Sequence, residues 1–468
     1  MATSIRAAAD AVVSDLRARP ALPGIVGLGE PTHDEPAFPA LWSRVLAALV
    51  PDGVRSVVLE SDAVATLALD AWVRGGPGRL DDVLVAGISH GFGGRPGVRE
   101  LVAGLRVRND ELPPADRVAV HGMDLPTDVT APSPRPYLEH LHSYLAAELD
   151  AVGTDAAELD RLLGPDEPWA TWDAQVDASR SVGATAGAVA LRAVADDLVS
   201  LLHAEAPRLV GATSRPAWEV AELHGRTALG LLRYHAAAAR TGATEGARVS
   251  RMLGVRDAEM ARNLLAIRAR EHRRGPTVVL AHDGHLRLAR STWDPGDPDR
   301  AWSWASAGAI VAAVGDEEYV HVAGPAEVPG PDEPEDPTVL DLAAFLLALP
   351  GVTHLRADEA AGAPAVAHGD WFFYADPDDR LPFATIVVGD YPGHDETSRL
   401  DRPGVFRLNL AVGRDEMPGP ADPAELDRFL PHPVYAAQGW VAVLNPGAAR
   451  WGEIDRLARL ALARRLGP

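Results

Sequence analysis

Four short apolar segments, each followed at once by acidic or imidazole side chains, constrain the fold of this chain most strongly. Short apolar runs are typical of buried strands. The carboxyl ends of parallel strands meet at one edge of an α/β sheet, and ligands bind at that edge. One polar residue after a strand marks only the start of a loop, but four such strands predict a functional cluster. The predicted strands are 25–28 followed by Glu30 and His33, 55–60 ending on Glu60, 117–122 followed by Asp124, and 277–281 followed by His282 and His285.

Helical spacing of apolar residues between these strands predicts an α/β fold with a mostly parallel central sheet. The order βαβαβ leads up to Asp124 and favours parallel pairing. Residues 134–274 are rich in alanine and leucine and show no strand pattern, so they predict a large helical insertion beside the active edge. The predicted helices are 35–50, 62–74 and 96–109, and two further strands are predicted at 307–314 and 319–323.

Residues 324–337 divide the chain, because prolines and acidic residues fill this segment. Such a composition suits a semi-rigid, extended linker and cannot form a packed element. We therefore predict a first domain over 1–323 and a smaller α+β domain over 338–468. The linker is expected to hold the domains apart or loosely docked, so residues 1–330 are expected to fold and keep the site alone. The competing possibility is that the second domain covers the helical cap, in which case the truncated chain would expose apolar surface. In the second domain we predict helices at 338–349 and 451–465, strands at 371–375, 383–389, 404–412 and 439–444, and a turn at 376–378.

Charge and composition exclude several classes of function. The net charge of −22 argues against general affinity for nucleic acid or an anionic membrane. The chain has no cysteine and no lysine, which excludes thiolate, disulfide and Schiff-base chemistry. No signal peptide is evident, and no apolar run approaches membrane-spanning length. The sequence therefore predicts a soluble cytoplasmic protein, and it leaves the oligomeric state open.

The residues at the predicted sheet edge suit general-base chemistry. A histidine takes a proton from water while a carboxylate fixes its tautomer, and a second histidine or an arginine stabilises the oxyanion. The spacings Glu30-x-x-His33 and His282-x-x-His285 also occur among metal ligands. A metal-dependent hydrolase therefore stays open beside the favoured site, which uses no metal and no cofactor. No Gly-x-Ser-x-Gly nucleophile elbow is present in the chain.

Six blocks follow one another between residues 20 and 323, and they read Gly29-Glu30-Pro31-Thr32-His33, Val57-Val58-Leu59-Glu60, Trp72-Val73-Arg74-Gly75, Gly122-Met123-Asp124-Leu125, Arg256-Asp257-x-x-Met260-Ala261-x-Asn263-Leu264 and Ala281-His282-Asp283-Gly284-His285. In this order and spacing they resemble the erythromycin esterase family. The resemblance implies hydrolysis of an ester or lactone of a small natural product by activated water, in a resistance or tailoring enzyme.

The resemblance also implies a role for each candidate residue. His33 is the expected general base. Glu30 and Glu60 are expected to orient this base or the water. The remaining candidates are His282 and His285, which complete the catalytic set, and Arg74, Asp124 and Arg95, which are expected to bind substrate.

Two departures from the family pattern keep a third hypothesis open. The family carries a basic residue nine positions after the histidine of His33, whereas this chain has Trp42 there. An aromatic-rich segment expected before Arg95 is replaced by Gly91-Phe92-Gly93-Gly94. Macrolide specificity is therefore not predicted. A non-catalytic protein that binds and sequesters a small molecule is the remaining alternative.

The segment 351–417 resembles a small domain family of unknown function. The resemblance is carried by the runs 370–374, 383–387 and 402–409. Four polar positions stand out in and near these runs, and we expect them to be satisfied surface or core-edge residues, with ligand binding as the less favoured alternative. They are His354, Asp370, His394 and Arg407.

Overall fold

The computed structural model describes residues 4–376 and 380–467. Its strands are β1 (Ile25–Glu30), β2 (Ser56–Asp62), β3 (Ala119–Asp124), β4 (Thr277–His282), β5 (Ser291–Trp293), β6 (Trp302–Trp304), β7 (Tyr319–Val322), β8 (Thr353–Arg356), β9 (Trp371–Tyr374), β10 (Ala384–Val387), β11 (Arg407–Leu410), β12 (Phe429–Pro431) and β13 (Val441–Leu444). Its helices are α1 (Ile5–Arg17), α2 (Ala37–Leu49), α3 (Thr66–Val73), α4 (Leu80–Gly87), α5 (Val98–Asp110), α6 (Arg135–Glu148), α7 (Ala156–Leu163), α8 (Glu167–Ala170), α9 (Trp172–Val176), α10 (Ala186–Ala204), α11 (Ala206–Ala212), α12 (Arg215–Ala238), α13 (Glu245–Glu271), α14 (Asp283–Leu286), α15 (Ala307–Val314), α16 (Val339–Leu347) and α17 (Trp451–Leu466).

Strands β1, β2, β3, β4 and β7 form a central sheet in which every pairing is parallel. The strand order is β3-β2-β4-β1-β7, so β4, which follows the helical insertion, lies between β1 and β2. Glu30 at the end of β1 is in register with His282 at the end of β4. The predicted fold class is therefore confirmed, and the carboxyl ends of four strands meet at one edge.

The helices pack on this sheet through the apolar positions that the sequence marks. In α2, Phe38, Leu41 and Val45 are fully buried, because their spacing places them on one face of the helix. The helical insertion forms α6 to α13, as predicted. Its last helix, α13, packs against β3 and extends toward the edge where the strands end.

The apolar run 307–314 forms helix α15, so the prediction of a fifth strand there is wrong. Ser306 caps this helix, since its side chain accepts a hydrogen bond from the Ala309 N–H. The run is rich in alanine, and periodicity alone does not separate a short buried helix from a strand. The run 319–323 does contain a strand, β7, which pairs with β1. Elements that the sequence analysis did not predict include α4, β5, β6, β8 and β12.

The C-terminal region is a six-stranded antiparallel sheet with α16 and α17 against one face. Side chains alternate between the two faces of its strands. Ile386 and Leu408 point into the core with the two helices, whereas Thr385, Arg407 and Asn409 occupy the opposite face. The predicted strands and helices of this region are present as β9, β10, β11, β13, α16 and α17, and the predicted turn at 376–378 extends outside the described residues.

The two regions share one hydrophobic core, which differs from the loose docking that the linker suggests. Helix α16 packs against α5, and Leu105 belongs to the same buried cluster as Leu346 and Trp371. At the same interface His354 Nε2 lies 2.6 Å from Asp110 Oδ2. Apolar faces of separate helices look alike in a sequence, so their mutual contact could not be read from it.

The proline-rich segment is itself tied to the first region. Its Gly330 carbonyl accepts a hydrogen bond from the Ile5 N–H at 3.0 Å. Asp332 forms an ion pair with Arg44 at 2.9 Å. Trp451 of α17 donates its indole N–H to the Glu335 carbonyl at 3.1 Å. The segment is extended, as its composition predicts, but it lies along the protein surface with polar contacts on both sides.

Candidate active site

His33 lies in the loop after β1 and is held by the carboxylate that ends this strand. Its Nδ1 atom is 2.5 Å from Glu30 Oε1. Because an ionised carboxylate only accepts hydrogen bonds, Nδ1 is the donor, and the neutral ring keeps its lone pair on Nε2. The side chains of His33 and Glu30 keep about a fifth of their surface exposed, at 22% and 18%. The pair is therefore accessible to a small molecule.

Glu60 is the buried carboxylate behind this pair. One extra residue of β2 bulges against β3 between Leu59 and Asp62, and Glu60 lies in this bulge. Its Oε2 accepts the backbone N–H of His282 at 2.8 Å. Burial would raise the pKa of Glu60, but the charges of His285 and Arg256 and the hydrogen bond from the His282 N–H lower it to about 2. Its Oε1 lies 3.8 Å from His33 Nε2, 3.4 Å from His285 Nε2 and 3.3 Å from Arg256 Nη2.

His285 is a buried imidazole held between two carboxylates. Its Nδ1 is 3.0 Å from both oxygens of Asp257, and its Nε2 faces Glu60. Asp257 also accepts hydrogen bonds from the Trp304 indole N–H and the Ala307 N–H. Burial would lower the pKa of His285, but Asp257 and Glu60 raise it to about 9. His285 is therefore protonated at neutral pH and serves as a fixed cation.

Arg256 on α13 links the ends of β2 and β3. Its guanidinium donates to both carboxylate oxygens of Asp124, with Nε 3.0 Å from each, and to Glu60. The negative charges of Asp124 and Glu60 outweigh burial and raise the pKa of Arg256 further. Asp124 is fully buried and also lies 3.3 Å from His90 Nε2. Asp124 thus orients Arg256 and is not exposed to a substrate.

His282 is the last residue of β4 and lies against the loop that carries His33. Its Nδ1 accepts the Gly284 N–H at 2.9 Å, so its Nε2 carries the proton and donates to the Pro31 carbonyl at 3.1 Å. Burial and the neighbouring His33 lower the pKa of His282. This neutral ring ties the His33 loop to β4, and the ring centroids of His33 and His282 are 5.1 Å apart.

The glycine-rich segment before Arg95 supplies an aromatic wall to the site. The Phe92 ring lies 4.7 Å from the His33 ring, centroid to centroid. The Arg95 guanidinium lies over the same phenyl ring, 3.7 Å from the Phe92 centroid. His90 adopts a left-handed backbone with φ 61° just before the segment. Trp42, by contrast, is buried in the core of the first region and does not reach the site.

The structure brings together seven of the eight residues predicted for the site and leaves one apart. Arg74 follows α3, where its carbonyl accepts a hydrogen bond from Arg117, a residue that precedes β3. Arg74 therefore lies at the amino ends of the strands, opposite the cluster. The assembled residues are Glu30, His33, Glu60, Asp124, His282 and His285, with Arg95 reaching the cluster through Phe92.

Three important residues of the cluster were not named as site residues from the sequence. Arg256 and Asp257 stand in one of the six blocks, but a neighbouring Arg-Asp pair inside a long helix resembles many solvated pairs. The signal that marks them is their position in that block. His90 gives no signal, because only its left-handed backbone and its contact with Asp124 distinguish it.

Over 4–376 and 380–467, no group of three or more His, Asp or Glu side chains is arranged to hold a metal ion. Within the same residues, every helix is too short or too polar to cross a membrane.

This fold and this cluster define an α/β protein with a histidine and carboxylate site at the carboxyl edge of a parallel sheet. The sequence model of the erythromycin esterase family matches residues 51–326, which is more than half of the chain. The chain belongs to the erythromycin esterase family. Glu30 and His33 precede the matched range. Residues 338–466 match a family of unknown function (DUF6194).

Solved structures of similar fold are distant in sequence. A Bacillus cereus protein is 18% identical, with 76% of this chain and 84% of that chain covered and a TM-score of 0.48. A mutant of the erythromycin esterase EreC in its open conformation is 16% identical, with 91% and 92% covered and a TM-score of 0.49. A succinoglycan biosynthesis protein is 14% identical, with 71% and 76% covered and a TM-score of 0.45. No curated protein sequence matches the chain significantly.

Proposed function

We propose that the protein is an erythromycin esterase-like hydrolase that cleaves an ester or lactone of a small natural product with a water activated by His33. The observation that carries this proposal is the arrangement of His33, whose Nδ1 is fixed by Glu30 while Nε2 faces the interior, with no hydrogen-bond partner among the described residues. A general base needs this arrangement, with one nitrogen oriented and the other free to accept a proton.

The reaction follows from the positions of these groups. A water bound beside His33 Nε2 lies within reach of Glu60, because 3.8 Å separates Nε2 from Glu60 Oε1. His33 takes one proton from this water as the water oxygen attacks the ester carbonyl carbon. The resulting imidazolium is stabilised by Glu30 and Glu60, and it returns the proton to the leaving alkoxide as the C–O bond breaks. No covalent enzyme intermediate is formed.

Arg95 is the cation best placed to receive the developing oxyanion. His285 and Arg256 are both directed at Glu60, so their charge keeps that carboxylate ionised. Arg95 lies on the accessible side, stacked on Phe92, and its side chain is 25% exposed. A guanidinium in a partly desolvated site stabilises an oxyanion more than a neutral donor does.

The test is a panel of esters and lactones incubated with wild-type protein, with product formation followed by mass spectrometry. His33→Ala should lower kcat/KM on any turned-over compound at least about a hundredfold, since general-base catalysis contributes roughly that much. His272→Ala is the matched control, because His272 is an exposed histidine whose ring hydrogen-bonds to the Ala269 carbonyl.

The outcomes separate the hypotheses. Turnover retained by His33→Ala would overturn the assigned mechanism. Tight binding without any product would favour a sequestering protein instead. Turnover that disappears on exhaustive chelation and returns with added metal would favour a metal-dependent hydrolase.

A further inference from the structure

The C-terminal sheet carries a cavity of about 660 Å³ on the face opposite its helices. This volume lies in the range of small-molecule sites, which are mostly apolar and hold few polar groups. Strands β9, β10 and β11 form its floor, and the segments after β10 and before β13 form its walls. Apolar and aromatic side chains dominate the lining, among them Phe372, Val387, Tyr391, Tyr435 and Trp440.

A row of buried polar side chains crosses the floor of this cavity. Thr385 on β10 pairs in register with Asn409 on β11, and Arg407 follows on the same face. Arg407 Nε donates to Asn409 Oδ1 at 2.8 Å, and Asn409 Nδ2 donates to Thr385 Oγ1 at 2.9 Å. The Thr385 hydroxyl therefore accepts from Asn409 and keeps its own proton to donate into the cavity. Polar residues on a buried sheet face are destabilising unless they have partners, so a purely structural face would be apolar.

The charge of Arg407 is balanced inside the protein. Its Nη2 is 2.6 Å from Asp395 Oδ2, and its Nη1 donates to Asp395 Oδ1 at 3.3 Å and to Ser398 Oγ at 2.7 Å. This bidentate pair is almost completely buried, with 2% of Arg407 and 7% of Asp395 exposed. Arg407 therefore brings little net charge to the cavity.

His432 offers the cavity a hydrogen-bond donor beside Arg407. Its Nδ1 accepts the backbone N–H groups of Val434 and Tyr435, at 3.1 and 3.2 Å, so the neutral ring must carry its proton on Nε2. Burial and the Arg407 charge lower the pKa of His432 to about 3, which keeps the ring neutral. Nε2 lies 3.3 Å from Arg407 Nη2. Since a guanidinium cannot accept a hydrogen bond, the Nε2–H of this tautomer has no acceptor among the described residues, and a ligand oxygen bound beside Nε2 would satisfy it.

We propose that this cavity binds a mostly apolar small molecule whose carbonyl oxygen accepts a hydrogen bond from His432 Nε2. A neutral carbonyl fits better than a carboxylate, because Asp395 already neutralises Arg407 and would repel a second anion. The site is separate from the His33 cluster and does not depend on the hydrolase proposal.

The probe is Prodan, a neutral naphthalene ketone whose emission reports on polarity and on hydrogen bonding to its carbonyl. Titrated into the full-length protein, Prodan should bind saturably with one site per chain and with brighter emission than in water. Ala411→Phe should abolish this binding, since Ala411 lines the cavity and its side chain makes no hydrogen bond there. Ala361→Phe is the matched control, because Ala361 is exposed and outside the cavity lining.

A second variant tests the hydrogen bond itself. In His432→Asn the new side-chain oxygen takes the place of Nδ1 as acceptor for Val434 and Tyr435, while the Nε2–H donor is removed. We expect binding to weaken about three- to tenfold and the bound emission to shift to shorter wavelength, as one neutral hydrogen bond is lost. Circular dichroism and melting temperature establish that each variant is folded.

Three results would overturn the proposal. These are the absence of saturable Prodan binding, binding that is unchanged in folded Ala411→Phe, and an unchanged emission maximum in folded His432→Asn. Tighter binding of a naphthalene carboxylate than of Prodan would equally overturn the assignment of a neutral carbonyl. If His432→Asn does not fold, the comparison of Prodan with a naphthalene of similar size that lacks the carbonyl replaces it, and equally tight binding of the two compounds would contradict the proposal.

Discussion

Glu60 and Asp370 are buried carboxylates in two different regions, and their surroundings shift their pKa values in opposite directions. Glu60 is 5% exposed and Asp370 is 1% exposed, so burial by itself would raise both values. The pKa of Asp370 does rise, to about 6, whereas that of Glu60 falls to about 2. Glu60 faces the cations of the candidate active-site cluster, while Asp370 accepts the Tyr391 O–H and the Val388 N–H.

This difference fits the two roles proposed for these regions. The sheet edge concentrates charge around Glu60, which keeps a carboxylate ionised beside the proposed general base. The C-terminal sheet pairs or neutralises its charged groups, which suits recognition of an uncharged molecule. The two regions nevertheless share one core, so each is expected to depend on the other for folding.

The largest expected effect is that of removing the C-terminal region. Residues 1–330 lack α16, so the apolar face of α5 that includes Leu105 becomes exposed. We expect this truncated chain to be insoluble, or to melt well below the full chain and bind a hydrophobic dye. The control is the full chain cut by a protease site inserted at 332–336, which should stay associated through the shared core. A truncated chain with the melting temperature and activity of the full chain would show that the two regions are independent.

The second-largest expected effect on stability is that of removing the Glu60 charge. Glu60→Gln leaves Arg256 and His285 without this counter-charge, and breaking a buried ion pair destabilises a protein by about 3–5 kcal/mol. Urea unfolding of this variant and of the exposed control Glu100→Gln measures the difference. A Glu60→Gln variant within about 1 kcal/mol of wild type, which is the effect of a surface ion pair, would argue that the cluster is solvated.

Asp370→Asn should increase the free energy of unfolding, whereas Glu60→Gln should decrease it. The folded-state pKa of Asp370 is raised from 3.8 to about 6, so the unfolded chain releases this proton first. Stability from this group is complete below the unfolded value and is lost as pH rises through the folded one, by at most about 3 kcal/mol. The amide of the variant cannot ionise and should remove this loss, which makes Asp370→Asn more stable than wild type above neutral pH.

Glu60, with a lowered pKa, shows the reverse pH dependence, since the stability that this group contributes to the protein is lost as pH falls from 4.5 through 2.

Unfolding free energies measured from about pH 4 to about pH 8 test this reversal, with the exposed Asp10→Asn as control. The opposite result would be an Asp370→Asn protein that is less stable than wild type at neutral pH, with the same dependence of unfolding free energy on pH. That result would show that ionised Asp370 does not destabilise the folded protein.

The smallest expected effect is at the end of the polar row in the C-terminal cavity. Thr385→Val keeps the shape but removes the oxygen that accepts from Asn409 Nδ2. An unsatisfied buried donor destabilises by about 1 kcal/mol or somewhat more. Thr292→Val in the exposed strand β5 is the control and should change stability very little. Equal effects of the two substitutions would indicate that water satisfies Asn409.

Much of the active site follows from local sequence patterns. Glu30, Glu60 and His282 are found at the ends of apolar strands, and the helices between these strands favour parallel pairing. Parallel pairing brings such residues to one edge whatever the details of packing. The partners Arg256 and Asp257 are different, because they lie on a helix whose path over the sheet is set by packing of the insertion.

In the C-terminal region the sequence determined less about function. It marked Asp370, His394 and Arg407 as polar positions, but with the expectation of ordinary surface or core-edge roles. The structure shows that His394 and Arg407 line one cavity, while Asp370 lies behind its wall residue Tyr391. His354, the fourth position, instead joins the two regions through Asp110.

By itself the sequence determined most of the elements, the fold class and the edge at which the chemistry is gathered, because these depend on spacing along the chain. Tertiary structure decided that 307–314 is a helix, that Arg74 lies at the opposite edge, and that the two regions share a core. These outcomes depend on contacts between residues far apart in sequence. The free energy of such contacts comes from packing and from burial of charge, and neither quantity is encoded in a local pattern.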